Sequence, residues 1–358
     1  MGSTQTGYTR SIEGKLGNPN VTWERAIERN FGVELAFWKN KIRVTADYFN
    51  KRRDNILANL GTVPITVGAN LPAYNLGRMS NTGVDGDVTY NDQIGKLNFW
   101  VKANYTFARN KIEFQDEIPR PFTYQYRTGQ RFGQFYGLVA DGLYNTWAEV
   151  NDANRPVSIY NTNKIQPGDI RYKDINGDGV INADDEVPIG YSNFPEKIFG
   201  LSFGGNYGGI DFSVLFQGAT NVSIGYNRTQ NRGFFEDRGA VDYLINSWTP
   251  ERYEQGLPID YPRFSTTTTY THNYVNSTYW IRDASYVRLK NVEVGYNLPK
   301  AFLSRIGLSA TRLYVNSNNL LTWSSVFPGV DPELPTGVTN EEPYPLTRTI
   351  NVGLNLKF

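Results

Sequence analysis

The sequence of 358 residues contains no cysteine and only one histidine. Without cysteine the chain has no disulfide framework, no thiolate nucleophile and no cysteine-ligated metal site. The histidine, His272, lies in a polar stretch of Thr, Tyr and Asn, and we expect it to be a solvated loop residue. Thiol chemistry and a disulfide scaffold are therefore excluded.

Long apolar runs and an excess of one charge are also missing. No apolar run approaches about 18 residues, the length that a membrane-spanning helix needs, so a helical membrane protein is excluded. The 36 Lys and Arg residues balance the 35 Asp and Glu residues, which gives no reason to expect nucleic acid as a partner. The opening stretch MGSTQTGYTR also lacks the apolar run of a signal peptide.

What the sequence does contain is alternation of apolar and polar residues, clearest in its last stretch. From Ile350 to Phe358 every second residue is apolar, and the residues between are Asn, Gly, Asn and Lys. An extended strand with this pattern has one apolar and one polar face. Strands of about 9–11 residues with an apolar outer face are the units of transmembrane β-barrels.

The same alternation recurs and predicts nine strands. We place them, before the closing one, at residues 30–38, 42–49, 84–90, 97–107, 199–207, 210–217, 286–298 and 311–320. The connections alternate between short turns, such as 91–95, and long loops, such as 51–79 and 110–197. Outer-membrane barrels have this arrangement, with short periplasmic turns and long outer loops.

Aromatic residues make up 14% of the chain and collect at the short-turn ends of the predicted strands. Membrane barrels place aromatic residues at the level of the lipid headgroups. We predict that the membrane-interface aromatics are Trp38, Tyr90, Tyr207, Tyr296 and Phe358. The predicted fold class is therefore all-β, a transmembrane antiparallel β-barrel.

Nine strands are too few and odd in number for a single-chain bacterial barrel, because an unpaired edge would leave backbone groups unsatisfied in lipid. The last strand ends at the short-turn side, so we expect the missing strands to precede Met1. We therefore expect residues 1–358 to be a C-terminal fragment of a longer barrel protein.

Several stretches of the chain resemble the SusC/RagA family of TonB-dependent outer-membrane transporters. They are GQFYGLVADGLY (Gly133–Tyr144), QPGDIRYKDINGDGVINADDE (Gln166–Glu186), YWIRDASYVRLKNVEVGYNLP (Tyr279–Pro299), NSNNLLTW (Asn316–Trp323), VDPE (Val330–Glu333) and the Phe-terminated strand. The resemblance implies a 22-stranded barrel with an N-terminal plug, of which this chain holds the last nine or so strands. It also implies a SusD-like surface lipoprotein and the TonB complex as partners, with oligosaccharides or peptides as cargo.

The sharpest local motif lies in the long loop 110–197, which the alternation of short and long connections places outside the cell. Residues 174–185 carry oxygen ligands at the spacing of an EF-hand calcium loop, with Gly at its sixth position. The predicted ligands of a structural Ca²⁺ are Asp174, Asn176, Asp178, the Val180 carbonyl, Asn182 and Asp185. The alternative is a surface loop closed by Asx turns, without an ion.

Side chains in the other loops allow two further interpretations. Aromatic residues that are candidates for stacking on substrate are Phe234, Phe235, Trp248, Tyr253 and Trp280, although such side chains more often pack loops together. Arg282, Arg288 and Lys290 are expected to be solvated rim charges. The adjacent carboxylates Asp184 to Glu186 lack the defined opposition across a substrate that acid–base catalysis needs, so no catalytic residue is predicted.

The sequence thus predicts a nutrient importer in the outer membrane of a Gram-negative bacterium, unable to transport as this fragment alone. The partners would be a SusD-like lipoprotein, the TonB complex and outer-membrane lipid, and no enzymatic activity is expected. Two other classes stay open: a secreted all-β glycan-binding module with a structural calcium, and a glycoside hydrolase.

Overall fold

The structure is a computed structural model, and it describes most of the chain. The described residues are 17–63, 71–160, 165–225, 239, 242–265, 271–303, 307–326, 330–333 and 346–358. Every structural statement below concerns these residues.

Strands dominate the described chain, and the helices are short. The strands are β1 (Arg25–Phe37), β2 (Ile42–Ala58), β3 (Tyr74–Ile94), β4 (Leu97–Phe114), β5 (Gln134–Gly137), β6 (Ala140–Leu143), β7 (Val157–Ser158), β8 (Ile170–Tyr172), β9 (Val180–Ile181), β10 (Val187–Ser192), β11 (Lys197–Tyr207), β12 (Ile210–Thr220), β13 (Ser223–Gly225), β14 (Ile281–Asp283), β15 (Tyr286–Asn297), β16 (Ala310–Ser324) and β17 (Thr349–Lys357). The α-helices are α1 (Trp147–Val150), α2 (Pro250–Glu254) and α3 (Lys300–Leu303). Within the described ranges, no helix is long and apolar enough to cross a membrane.

Nine long strands form one antiparallel sheet in the order β1-β2-β3-β4-β11-β12-β15-β16-β17. Every strand pairs with the next long strand along the chain, so the sheet is a meander in which long connections leave from one end. The register pairs Val33 with Ala46 and, at the other side of the sheet, Val315 with Val352. The predicted nine-stranded antiparallel arrangement is confirmed.

Several strands extend beyond the predicted boundaries at the long-connection end. β2 continues to Ala58, β3 begins at Tyr74, and β4 continues to Phe114, five residues into the stretch that we assigned to the loop 110–197. β3 also continues to Ile94, which shortens the predicted turn at its end. The alternation of apolar residues ends where contact with lipid would end, whereas backbone pairing continues through the polar residues beyond it.

One face of the sheet is apolar and exposed along its length, as the alternation predicts. Phe31, Val84, Val352 and Leu354 all have large exposed side chains there. Of the predicted interface aromatics, Trp38, Tyr207, Tyr296 and Phe358 are exposed. Tyr90 is half-buried beside the ring of Phe99, 5.7 Å away between centroids, and its hydroxyl donates to Asp92 across 2.7 Å. These positions suit an aromatic belt, which stays a prediction.

The connection between β4 and β11 folds, together with parts of the later loops, into a unit with its own hydrophobic core. We call it the loop unit. The buried residues of this core are Leu138, Ile170, Tyr172, Ile181, Leu244, Tyr261 and Trp280. Small two-stranded pairings, such as β10 with β5 and β6 with β8, tie its segments together.

Candidate functional site

His272 lies in the core of the loop unit, so the expectation that it is solvated is wrong. Its Nε2 donates to the Ile170 carbonyl across 2.7 Å, and the Ser158 hydroxyl lies 3.0 Å from its Nδ1. The side chain is 1% exposed, and desolvation lowers the pKa of the imidazole. A hydroxyl beside an imidazole is also the pair of a nucleophile and its base. Burial of both groups leaves no approach for a substrate, so the pair is structural.

A buried carboxylate, Asp169, joins two distant segments next to this histidine. It accepts hydrogen bonds from the Gln166 backbone N–H across 2.8 Å and from the Asn273 amide across 3.1 Å. The Arg263 guanidinium lies 2.6 Å from the same carboxylate and balances its charge. Because a buried charge needs both a counter-charge and hydrogen bonds, these partners explain why an aspartate is tolerated here.

The predicted calcium loop is closed by hydrogen bonds from its own backbone. Asp174 accepts from the N–H groups of Gly177 and Gly179, each across 2.7 Å. Asp185 is fully buried and accepts from the N–H groups of Ile175 and Asn182 across 2.7 and 2.9 Å. Both Gly177 and Gly179 have positive φ, which lets the chain wrap around these carboxylates.

The carboxylates of Asp174, Asp178 and Asp185 thus accept hydrogen bonds from the backbone of their own loop. Asp178 accepts from the Val180 N–H across 2.8 Å and from the Asn176 amide across 2.9 Å, and Asn182 accepts from the Asp184 N–H. Within the part of the chain that the structure describes, no three His, Cys, Asp or Glu side chains are arranged as a metal site. The Asx-turn alternative accounts for the observed loop, and calcium binding by its remaining oxygen lone pairs stays a prediction.

Of the predicted substrate-stacking aromatics, the three that the structure describes do not share one surface. Trp280 and Trp248 are buried, and the Trp248 indole N–H donates to Asn145 across 3.1 Å, so neither tryptophan presents a face to a ligand here. The loop unit forms its own core and uses these large side chains to fill it. Tyr253 is exposed and stays a candidate. Phe234 and Phe235 lie outside the described residues.

A different aromatic pair is exposed at the edge of the loop unit. The rings of Phe132 and Phe194 stack with centroids 6.0 Å apart, and the side chains are 51% and 49% exposed. Ser192 holds both residues, because its hydroxyl donates to the Phe132 carbonyl across 2.8 Å and accepts the Phe194 N–H across 3.1 Å. The alternation used to find strands carries no signal for such a pair, which forms between two loops.

Next to Phe194 lies a cavity of about 420 Å³ against the polar face of the sheet. Its lining comprises Asn193, Phe194, Pro195, Ile198, Gln217, Ala219, Val222, Tyr286, Pro332 and Glu333. The ring of Phe194 supplies an apolar surface, and the amide of Gln217 supplies a donor and an acceptor. The arrangement suits a neutral ligand with both apolar and hydroxyl or amide groups.

One wall of this cavity, residues 330–333, is fastened to the sheet by Arg288. The guanidinium lies 2.8 Å from both oxygens of Asp331 and 2.6 Å from Glu333, and the Tyr286 hydroxyl donates to Glu333 across 2.7 Å. Lys290 approaches the same glutamate at 3.4 Å. Arg288 is 1% exposed, so the expectation that it is a solvated rim charge is wrong. Residues 330–333 supply the two carboxylates that its burial requires.

Comparison with known proteins assigns this architecture. Residues 2–320 match the family described as TonB dependent receptor-like, beta-barrel. The chain is 28% identical to TonB-dependent receptor P3 of Formosa agariphila, over 96% of this chain and 35% of the relative. It is 24% identical to TonB-dependent receptor SusC of Bacteroides thetaiotaomicron, over 98% of this chain and 34% of the relative.

A solved structure, that of the RagAB peptide transporter, superposes with a TM-score of 0.70 at 23% identity. The alignment covers 96% of this chain and 36% of the solved chain, and it shows the same fold. The chain thus spans about a third of the length of the curated relatives that it matches.

Proposed function

This chain belongs to the family of TonB-dependent receptor-like β-barrels, an outer-membrane family, and we propose from that premise that it forms part of a SusC/RagA-type importer. The importer would reside in the outer membrane of a Gram-negative bacterium and take up oligosaccharides or peptides. The relatives with curated names are receptors rather than enzymes. Import, cargo and partners belong to the whole protein and are proposals for this chain.

The observation that carries the proposal is that the nine-stranded sheet, which we call the wall, has the folded loop unit attached at one end. The wall has an apolar exposed face, which suits lipid, and a polar face that meets the loop unit. The carboxylate of Glu196, just before β11, accepts two hydrogen bonds from Arg109 of β4, across 2.7 and 2.9 Å. A loop unit held in this way can present a fixed binding surface at the mouth of a barrel.

We place cargo contact at the stacked pair Phe132 and Phe194 and the adjoining cavity. Sugar rings stack on aromatic faces and use their hydroxyls for hydrogen bonds, and peptides bind similar mixed surfaces through side chains and amides. Glu333 faces the cavity but is already paired with Arg288, so the site carries no free negative charge that would demand a cationic ligand. Neither proposed cargo class is therefore excluded by the charge of the site.

The proposed partners follow from the relatives. The names SusC and RagAB support a SusD-like surface lipoprotein as the partner at the outer mouth. The family name supports energy supply to the whole protein through the TonB complex. Outer-membrane lipid would cover the apolar face of the sheet.

Uptake by whole cells tests the proposal. Cells with and without the full-length gene are supplied with a labelled oligosaccharide mixture or a labelled peptide mixture, in backgrounds with and without TonB. We expect uptake of one mixture to require both genes. Uptake of both mixtures that is independent of the gene and of TonB would contradict import. Recovery of the full-length protein in the aqueous fraction, without detergent, would favour the secreted glycan-binding module instead.

Variants in full-length protein locate the contact. Phe194→Ala should raise the cargo concentration needed for half-maximal uptake, because one face of the stacked pair is lost. Trp147→Ala is the matched control, since Trp147 is an equally exposed aromatic elsewhere in the loop unit. An equal effect of both variants would place cargo contact elsewhere.

A further inference from the structure

Basic side chains follow the apolar face directly at the long-connection end of strands β1 to β4. The last apolar row across these four strands is formed in register by Phe31, Tyr48, Val84 and Phe107. The next row on the same face is Arg29, Asn50, Thr82 and Arg109, and the one after it is Ile27, Arg52, Ser80 and Lys111. The surface thus changes from apolar to basic within two residues of each strand, about 7 Å.

The strand register places these cations on the same face as the apolar row, and two of them also contact aromatic rings. The Arg109 guanidinium lies 5.5 Å from the ring centroid of Phe107, and that of Arg78 lies 5.2 Å from the ring of Phe114. We define the basic patch as the six exposed cations on this face: Arg25, Arg29, Arg52, Arg78, Arg109 and Lys111. The carboxylates that pair with members of the patch are Asp54, Glu113 and Glu196. Cations therefore exceed carboxylates there.

On the polar face of β1 and β2, the charged side chains are paired differently. On β2, the inward Lys51 lies 3.0 Å from Glu28 of β1, and the inward Arg53 lies 3.1 Å from Glu24, the residue just before β1. Arg52, between them in sequence, faces outward and pairs only with Asp54 on its own strand. Among the described residues, Arg29 makes no ion pair at all. At this end of β1 and β2, the inward cations Lys51 and Arg53 are thus each paired with a glutamate, whereas the outward cations exceed the carboxylates beside them.

We propose that the basic patch binds the phosphate groups of an anionic lipid in the outer leaflet. This rests on the proposed function, which sets the apolar face in an outer membrane with the long connections outward. The patch then lies at the level where lipid headgroups end the hydrocarbon region. Arginine suits phosphate because its planar guanidinium donates two parallel hydrogen bonds. Asn50 and Thr82, joined by a 2.7 Å hydrogen bond, supply neutral polar groups between the cations.

Native mass spectrometry of the full-length protein in detergent micelles tests this assignment. The probes are lipid A carrying its phosphates and the same lipid after enzymatic dephosphorylation. Wild-type protein should bind the phosphorylated probe more tightly. Arg29→Gln with Arg52→Gln should weaken that binding at least about tenfold, because each Lys or Arg near an anionic surface contributes on the order of 1 kcal/mol, a factor of about five.

The matched control is Lys51→Gln with Arg53→Gln, which also removes two positive charges but from the inward face. It should leave lipid binding unchanged. Equal weakening by both pairs, equal binding of the dephosphorylated probe, or displacement of the lipid by millimolar inorganic phosphate alone would each overturn the proposal. If the outward variant fails to assemble, the fallback measurement is the salt dependence of binding by the wild-type protein. Its binding of the phosphorylated probe should weaken with added salt, and binding that does not depend on salt would also overturn the proposal.

This test is separable from that of import. Unchanged uptake of cargo together with variant-independent lipid binding would contradict the basic patch alone. Lipid binding that follows the prediction in a protein that imports no cargo would contradict the proposed function and leave the patch standing.

Discussion

Removing the Arg288 guanidinium should release residues 330–333 from the sheet. In the folded protein this group lies within 2.8 Å of Asp331 and 2.6 Å of Glu333, and it is almost completely buried. Arg288→Met preserves an unbranched apolar stem of similar length but removes the charge. Two carboxylates then face a largely dehydrated site without a counter-charge, except for the more distant Lys290 ammonium.

The expected magnitude follows from the asymmetry of buried ion pairs. Deleting one partner of such a pair costs about 3–5 kcal/mol, because the other charge is left uncompensated. Asp331 and Glu333 retain some exposure, so we take the lower end, about 3 kcal/mol. At about 1.4 kcal/mol per factor of ten, detachment of the segment should become on the order of 100-fold more frequent.

Hydrogen–deuterium exchange of the full-length protein in micelles measures this directly. The Glu333 amide is a suitable reporter, because its N–H donates across 2.9 Å to Asp331 Oδ1, the same oxygen that Arg288 holds, so loss of Arg288 frees the acceptor to move and exposes the N–H. Arg288→Met should accelerate its exchange by about two orders of magnitude. Lys290→Gln is the control, since this partly exposed lysine lies 3.4 Å from the carboxylate and should contribute no more than about 1 kcal/mol.

Two outcomes would refute the reasoning. Unchanged exchange in Arg288→Met would show that other contacts hold residues 330–333. The triple variant Arg288→Met, Asp331→Asn, Glu333→Gln removes all three charges and should exchange more slowly than Arg288→Met alone. A triple variant that exchanges as fast as the single one would mean that uncompensated charge is not the cause.

Three further predictions concern the loop unit and the wall. Burial lowers the pKa of His272 below its value in the unfolded chain, about 6.5, so the unfolded chain binds the proton first as pH falls. The contribution of the neutral His272 to thermal stability should therefore be complete above that pH and be lost as pH drops below it. His272→Gln should flatten this pH dependence, measured as thermal unfolding followed by tryptophan fluorescence. Val101→Arg, on the apolar face, should cost roughly 2–4 kcal/mol of barrel stability and lower assembly yield, whereas Asn98→Arg on the polar face should cost much less; equal yields would show that the alternation does not report lipid contact. Calcium titration of the full-length protein by calorimetry should show binding with a Kd in the millimolar range or below, and Asp174→Ala should weaken it. Absence of heat at millimolar calcium would mean that the loop binds no calcium and is closed by its own hydrogen bonds.

The nine-stranded wall was predictable from the sequence because the pattern that forms each strand lies in residues adjacent in sequence. Strand periodicity of two and the turn residues between strands report directly on a face that meets lipid, so nine strands and their order follow from the pattern. The strand ends were not predictable in this way. Arg52 and Arg78 lie in paired backbone beyond the apolar rows, where side chains no longer alternate in hydrophobicity although hydrogen bonding continues.

The loop unit was mispredicted for the opposite reason, since its contacts are remote in sequence. His272 and Ile170 are joined by a hydrogen bond across 102 residues, and Arg288 pairs with Asp331 across 43. The residues next to His272 in the sequence do not indicate that it lies in a hydrophobic core. Trp248 and Trp280 stand in polar stretches, which is typical of a ligand-binding surface, but the same stretches fold over their own hydrophobic core.

The cavity beside Phe194 depends on both kinds of contact, because each of its two loop walls is fastened by a buried charge. Glu196, next to the wall residue Pro195, lies 2.7 Å from both Arg109 and Arg131 and is 3% exposed at its side chain. Glu333, in the opposite wall, is held through Arg288. Both anchors attach to strands of the sheet, β4 and β15, so the width of the cavity follows the spacing of those strands. A movement of the sheet at this end would therefore be transmitted to the stacked aromatic pair.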